Sequence, residues 1–387
     1  MSDSSQQDEY TGFEQGPIRP PSEAASLLIR VTRNCPWNRC TFCPVYKGAR
    51  FSRRPAAHVK QDIDAVYEQV CAIQSLAGTS ESISRIDIDT HVAKLSSESR
   101  SAFYAALNWY AGGMRSVFLQ DANSLVIDPH ELAGILVHLR TRFAWVSRIT
   151  SYARSGTVAR ISDNDMKMLA EAGLNRIHIG MESGSDEVLA MVKKGATKEI
   201  HVKAGRKVRA AGIGLSEYVM PGLGGKKLSG PHARQTADAL NKINPDFIRL
   251  RTLAIPQNIP LFDDYSAGRF EKLTDMEAAK EILIFLESLD GITSTIKSDH
   301  ILNLFEDLEG KFPDDRRKMI GIVKTFLEMP EKRRMLYQVG RRLGYLRGIS
   351  GLDDPRVVSR IEAVCKRHGI TPENVDAFID EAMKRFI

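Results

Sequence analysis

Three of the five cysteines in this chain of 387 residues fall inside one short stretch, Cys35-Pro-Trp-Asn-Arg-Cys40-Thr-Phe-Cys43. Thiolates are soft, strongly donating ligands that suit zinc and iron–sulfur clusters, and three on one loop converge on one centre with little rearrangement. Structural zinc takes four protein ligands. No fourth cysteine or histidine stands at finger-like spacing, and Cys71 and Cys365 are isolated in sequence of helical character. The count points to a 4Fe-4S cluster with one iron left free of protein, where a small molecule can bind as it does at catalytic metal sites with an open position. Polar residues fill the gaps between the three, which argues against cysteines that merely pack in a core.

Chemistry on a loop needs elements to hold it. The run 26–33 just before the loop predicts a strand, and 56–76 carries Val59, Ile63, Val66, Val70 and Ile73 at helical spacing. Strand, loop and helix then recur. Further strands are predicted over 115–120, 145–150, 175–181, 213–220 and 246–252, with helices over 129–142, 162–172 (N-capped by Ser162) and 231–243. Six such units imply an α/β fold, a parallel (β/α)6 partial TIM-type barrel whose reacting groups sit at the carboxyl ends of the strands. The segment 77–113 exceeds a simple connection and reads as an insertion, helical over 101–109. After residue 274 the rhythm stops, and helices are predicted over 276–289, 314–327, 332–346, 355–367 and 372–386. The expected organisation is a flexible arm (1–22), a core barrel (23–255) and a mostly helical carboxyl-terminal region (256–387).

With the cysteine loop placed after a first strand, the sequence resembles the radical S-adenosylmethionine (SAM) superfamily, whose members usually carry Cys-x3-Cys-x2-Cys there. Here the first gap holds four residues, Pro36 to Arg39. The resemblance implies that Cys35, Cys40 and Cys43 hold the 4Fe-4S cluster and that Phe42 lies beside the adenine of SAM. Gly180-Met-Glu-Ser-Gly-Ser185 is similar to the family's Gly-x-Glu-Ser-Gly-Ser stretch, which implies that Glu182 lies near the ribose of SAM, where one carboxylate can accept from two hydroxyls. At the end of strand two the family often has a Gly-Gly-Glu type turn that holds the methionine amino group. This chain has Gln120-Asp-Ala-Asn123, so only polar character carries over, with Asp121 as the ammonium acceptor or, alternatively, as an Asx turn. Arg154, after strand three, either pairs with a carboxylate through two parallel hydrogen bonds or stands exposed. Pro221-Gly-Leu-Gly-Gly225 lacks the ending of a phosphate loop and the spacing of a dinucleotide loop. By the resemblance its backbone approaches the adenine side of SAM. Asp299-His300 is a polar pair that either faces the site or is structural.

The resemblance covers about 23–255 and implies an enzyme. One electron from the reduced cluster cleaves SAM, and the 5′-deoxyadenosyl radical abstracts hydrogen from a substrate the sequence does not identify, with a reductant such as flavodoxin or ferredoxin as partner. Two other classes stay open, a tRNA-modifying member and a non-catalytic iron–sulfur electron-transfer protein. The net charge of +6 permits a nucleic-acid partner without favouring one, because the basic clusters at Arg50/Arg53/Arg54, 316–318, 332–334 and Arg341/Arg342 alternate with acidic residues and read as solvated faces. A hydrophobic share of 43% and a charged share of 26% exclude a disordered or membrane-spanning class. No run approaches the roughly 18 apolar residues of a membrane span. The polar start lacks a signal-peptide core, so a cytoplasmic protein with reduced cysteines is expected.

Overall fold

The computed structural model of the chain describes residues 9–78 and 83–383. An eight-stranded sheet carries the fold: β1 (Leu27–Arg30), β2 (Ser116–Gln120), β3 (Arg148–Ala153), β4 (Arg176–Glu182), β5 (Gly214–Val219), β6 (Phe247–Leu250), β7 (Thr295–Lys297) and β8 (Gly310–Lys311). Spatial order equals chain order. Strands β1 to β7 run parallel and β8 turns back antiparallel on β7. Among the described residues no pairing joins β8 to β1, so the barrel is partial.

The six expected strands are all present, and the rhythm runs one unit further. Helix Asp275–Ser288 leads into β7, which pairs with β6 from Phe247↔Thr295 to Arg249↔Lys297. The expected core boundary at residue 255 therefore cuts through the sheet. Strand three lies at 148–153 rather than 145–150, because Tyr152 faces inward between the rings of Phe118 and His178 while Trp145 is exposed. The segment expected as an insertion forms two helices, Arg85–Lys94 and Ser97–Ala111, N-capped by Ser84 and Ser96. The second belongs to the outer helical layer. Its Trp109 is buried, donates to the Ser116 carbonyl at 2.9 Å and meets Phe143 edge-on at 4.9 Å.

Period-2 alternation divides the sheet into two faces. Ile177, Ile179, Leu215, Val219 and Ile248 join the main hydrophobic core. Phe118, Tyr152, His178 and Tyr218 occupy the other face and touch in series, with ring centroids 5.1, 5.6 and 5.4 Å apart. Below this aromatic layer, His178 reaches Glu23 at 3.4 Å, and Glu23 meets Ser26 at 2.6 Å and Arg148 at 3.0 Å. Burial works to raise the Glu23 carboxyl, but the bonds from His178 and Ser26 and the charge of Arg148 hold it at about 2. Burial drives His178 down to about 4.

The expected arm is docked over its described part. Tyr10 donates to Asp62 at 3.0 Å, Glu14 pairs with Arg30 at 2.6 Å, and the Gly16 amide donates to Gln120 at 2.8 Å. At the other end, helices Arg316–Glu328, Glu331–Arg342, Pro355–His368 and Val375–Met383 follow the sheet. Residues 384–387 of the last expected helix lie outside the described residues. Arg341 and Arg342 do not form a solvated face. They are buried, with Arg341 on Glu306 at 2.9 Å and on the carbonyls of Asn303 and Leu304, and Arg342 on Asp275 at 2.6 Å. A guanidinium's several donors can close the carbonyls of a buried turn, and that favours burial over solvation here. Arg54 is likewise buried, paired with Asp62 at 2.5 Å. Among the described residues no helix is long and apolar enough to cross a membrane.

Candidate functional site at the carboxyl ends of the strands

A cavity of about 370 Å³ opens where the parallel strands end, and Cys35, Cys40, Cys43 and Phe42 line it together with Arg154, Glu182 and Lys194. The cysteine loop owes its shape to two asparagines in the left-handed region, Asn34 at φ 66° and Asn38 at φ 44°. Asparagine tolerates that conformation better than most residues. The turn at Asn38 absorbs the extra residue in the first gap. Its amide faces the Cys35 sulfur at 3.5 Å, and its side chain donates to the Ala49 carbonyl at 3.3 Å. Lys47 closes the far side by donating to the Cys40 carbonyl at 2.7 Å.

The segment after β4 holds the loop from outside. Trp37 donates to the Lys193 carbonyl at 2.7 Å, and the Thr41 amide donates to the Val192 carbonyl at 3.0 Å. The indole rests on Gly195, where a Cβ would stand 2.3 Å from a ring carbon and φ is 70°. Only glycine satisfies both constraints.

The three thiols share one cavity wall. Among the described residues no three metal-ligating side chains surround a single ion. Burial pushes the Cys43 thiol up, Cys40 and Cys35 add to the rise, and Lys194 opposes it. Three soft sulfur donors on one wall beside an ammonium are a set that an iron–sulfur centre would take up with loss of the thiol protons, so the residues present fit that group.

Glu182 ends β4 at φ 65°, where the register with β5 shifts between Gly180 and Glu182. This turns its side chain into the cavity, and Lys194 meets it at 3.0 Å. The neighbouring glycines are set by packing. A Cβ at Gly180 would stand 2.3 Å from a Glu182 oxygen, and one at Gly184 would lie 2.5 Å from the Gln235 carbonyl oxygen. The Gly184 amide donates to Thr236 at 2.8 Å, which fixes helix Gly225–Ile243 against the strand end.

Other expected residues divide. Phe42 is buried, with the Lys194 ammonium 5.7 Å from its ring centroid. Arg154 donates to the Lys194 carbonyl at 2.6 Å and lies 5.2 Å from the Trp37 ring, so it joins the two loops rather than standing exposed. Asp121 is not in the cavity wall, although Ala122 is. Its carboxylate takes Arg30 at 2.8 Å and the Asn34 amide at 2.9 Å, which makes it a latch for the start of the cysteine loop. These partners lie outside its own turn and take Oδ2 alone, leaving Oδ1 buried without a hydrogen-bond partner among the described residues. In the 221–225 loop Leu223 packs in one cluster with Cys40 and Phe42 while the Gly222 amide donates to Glu281 at 2.7 Å, and the helix begins at Gly225 rather than 231. His300 does face the cavity, and burial first, then Arg251, lowers it to about 4, so it is neutral at pH 7. Asp299 pairs instead with Arg249.

Four cavity residues lacked a role in the sequence. Lys194 stood in a stretch noted only as following strand four. Tyr152 and Tyr218 were legible as inward positions once strand alternation was applied. Arg251 lies one residue beyond the end of β6.

Residues 105–230 match the family model described as the Radical SAM superfamily. The chain is 18% identical over 290 residues to the tRNA uridine(34) acetyltransferase of Methanocaldococcus jannaschii, covering 70% of this chain and 50% of the relative. It is 25% identical over 216 residues to the mitochondrial tRNA methylthiotransferase CDK5RAP1 of Rattus norvegicus, covering 54% and 33%. The chain thus spans half or less of these relatives' lengths. Among solved structures, the radical S-adenosylmethionine methyltransferase TsrM from Kitasatospora setae, with cobalamin and a [4Fe-4S] cluster bound, is similar at 17% identity and TM-score 0.44, over 63% of this chain and 37% of that one. Coproporphyrinogen III oxidase (HemN) from Escherichia coli is similar at 16% identity and TM-score 0.43, over 68% and 52%.

Proposed function

We propose that this chain, a radical SAM protein by the match of its residues 105–230, holds a 4Fe-4S cluster on Cys35, Cys40 and Cys43, cleaves SAM reductively and takes hydrogen from a substrate. The observation that carries the reading is the sharing of one cavity of about 370 Å³ by three thiols and Phe42 from the loop after β1 and by Glu182 from the end of β4. When bound, the cluster supplies the electron that breaks a carbon–sulfur bond of SAM. The protein supplies position and exclusion of water. Glu182 faces the cavity beside Lys194, and its carboxylate is the acceptor for the ribose hydroxyls. Phe42 offers a ring for the adenine, and the Trp37 and Asn38 contacts hold the thiols in place. The reductant is a small electron-transfer protein of the flavodoxin or ferredoxin kind, and the setting is the reducing cytoplasm.

Protein prepared without oxygen is expected to bind about four irons and four sulfides and to yield 5′-deoxyadenosine with SAM and dithionite. Cys35→Ala, Cys40→Ala and Cys43→Ala should each abolish the cluster, whereas Cys71→Ala and Cys365→Ala should keep it. A cluster that survives loss of Cys40 would sink the assignment.

A tRNA substrate is the second reading, supported by relatives whose names state tRNA modification. It requires salt-dependent affinity for tRNA, and no binding at low ionic strength removes it. The electron-transfer reading is less well supported, because it gives no role to the cavity beyond the thiols.

A further inference from the structure

Resting on the radical SAM reading of this cavity, we propose that Arg251 is the anchor for a carboxylate on the substrate, so that the substrate is an organic acid with an apolar body. The cavity wall carries three cations, Arg154, Lys194 and Arg251, and one carboxylate, Glu182. The first two lie on the side of the thiols. Lys194 is paired with Glu182 at 3.0 Å and acts on Cys43, while Arg154 is held by the Lys194 carbonyl and Trp37.

Arg251 stands apart from them. It follows β6, five strands along the sheet from the strand that precedes the cysteine loop. Among the described residues it has no ion-pair partner, and its guanidinium lies over the Tyr218 ring at 4.8 Å. The nearby carboxylate of Asp299 is committed to Arg249. The backbone beside Arg251 is clamped, since its amide donates to the Val219 carbonyl at 2.9 Å and the Thr252 amide donates to Asn303 at 2.9 Å. The groups around it are polar and neutral. The buried Tyr218 hydroxyl has the phenol of Tyr152 for a neighbour, and His300 is neutral. Among the described residues, Arg154 and Arg251 are the two wall cations without a carboxylate partner, and of the two Arg251 is the one whose guanidinium no carbonyl holds; a guanidinium matches a carboxylate in two parallel hydrogen bonds. Ala254, Pro256 and Leu302 form the adjoining wall, which suits the apolar remainder of the acid.

The competing occupant is the carboxylate of SAM itself, and the test separates the two. Phenylacetate and phenylacetamide serve as probes, matched in shape and different in charge, with binding followed by saturation-transfer NMR on the anaerobically reconstituted protein with SAM present. The acid is expected to bind at least about tenfold more tightly than the amide, the size of a hydrogen-bonded charge. In Arg251→Gln that preference should fall below about threefold, and Arg251→Lys should restore part of it. Equal binding of the two probes, no saturable binding of the acid, or a preference retained in Arg251→Gln overturns the proposal. SAM affinity is measured on the same samples by calorimetry. A tenfold loss in Arg251→Gln would give Arg251 to SAM and also overturns it. Failure of the wild-type protein to form 5′-deoxyadenosine would instead sink the radical SAM reading, whatever the probes do.

Discussion

Glu182 holds a left-handed backbone conformation that costs a non-glycine residue about 1 to 3 kcal/mol, and the strain is repaid only if the side chain is needed where it points. Glu182→Gln keeps the size but removes the charge. SAM affinity is expected to fall by about 1.5 to 3 kcal/mol by calorimetry, with cluster content unchanged. Unaltered affinity would return Glu182 to a purely structural role beside Lys194. At this scale the sequence was most legible where chemistry is local. Three thiols in one loop need no long-range information, and Glu182 sits inside a recognisable stretch. The pairing of Asp121 with Arg30 was not legible, because the two are 91 residues apart and meet only once β1 and β2 lie side by side.

Elements were legible wherever apolar residues kept a period, as in helix Pro129–Arg142, found where expected. They were hidden where no period could develop. Strands β7 and β8 have three and two residues, and helix Gly225–Ile243 opens on Gly-Lys-Lys and contains Pro231, each a local signal against helix. That helix makes a prediction. Its backbone lies so close to Gly184 that Gly184→Ala drives a methyl into the Gln235 carbonyl, and the unfolding free energy should fall by about 1 to 3 kcal/mol in urea titrations. Full stability in that variant would mean the two elements separate freely. The carboxyl-terminal helices serve the site at one remove. Arg341 and Arg342 hold the carbonyls of Leu302, Asn303 and Leu304, and it is the turn before these that brings His300 and Leu302 to the cavity.

Across the whole molecule, buried histidines and Glu23 make stability fall in acid, whereas Glu217, whose carboxyl burial raises, works in the opposite direction. His178 and His300 are held at about 4 and His201 at about 3, in each case chiefly by burial. An unfolded chain takes up protons on these histidines below about 6.5. The folded protein refuses them until nearer 4, so stability falls as pH drops from 6.5. Glu23 acts in the same direction. Its folded value of about 2 lies below the ordinary 4.5, so its stabilisation is complete above 4.5 and is lost as pH falls through that interval. The histidines should lower the thermal midpoint between pH 7 and 4.5, and His178→Gln should make the drop smaller than in the unaltered protein. An identical pH profile in the two proteins contradicts the burial of a neutral His178. None of this was legible in the sequence, because a histidine's environment is built by strands far apart in the chain.

The docking of Trp37 on Lys193 has a consequence for synthesis. The contact joins residues 156 positions apart, whereas the sheet is laid down in chain order. A ribosome moving at about 5 to 20 residues per second needs roughly 10 to 30 s to cover that interval. For that time the nascent chain carries the three thiols without the segment that will clamp them. Iron and sulfide delivered during translation would meet an unclamped loop, and delivery after the fourth strand has emerged would meet a closed one.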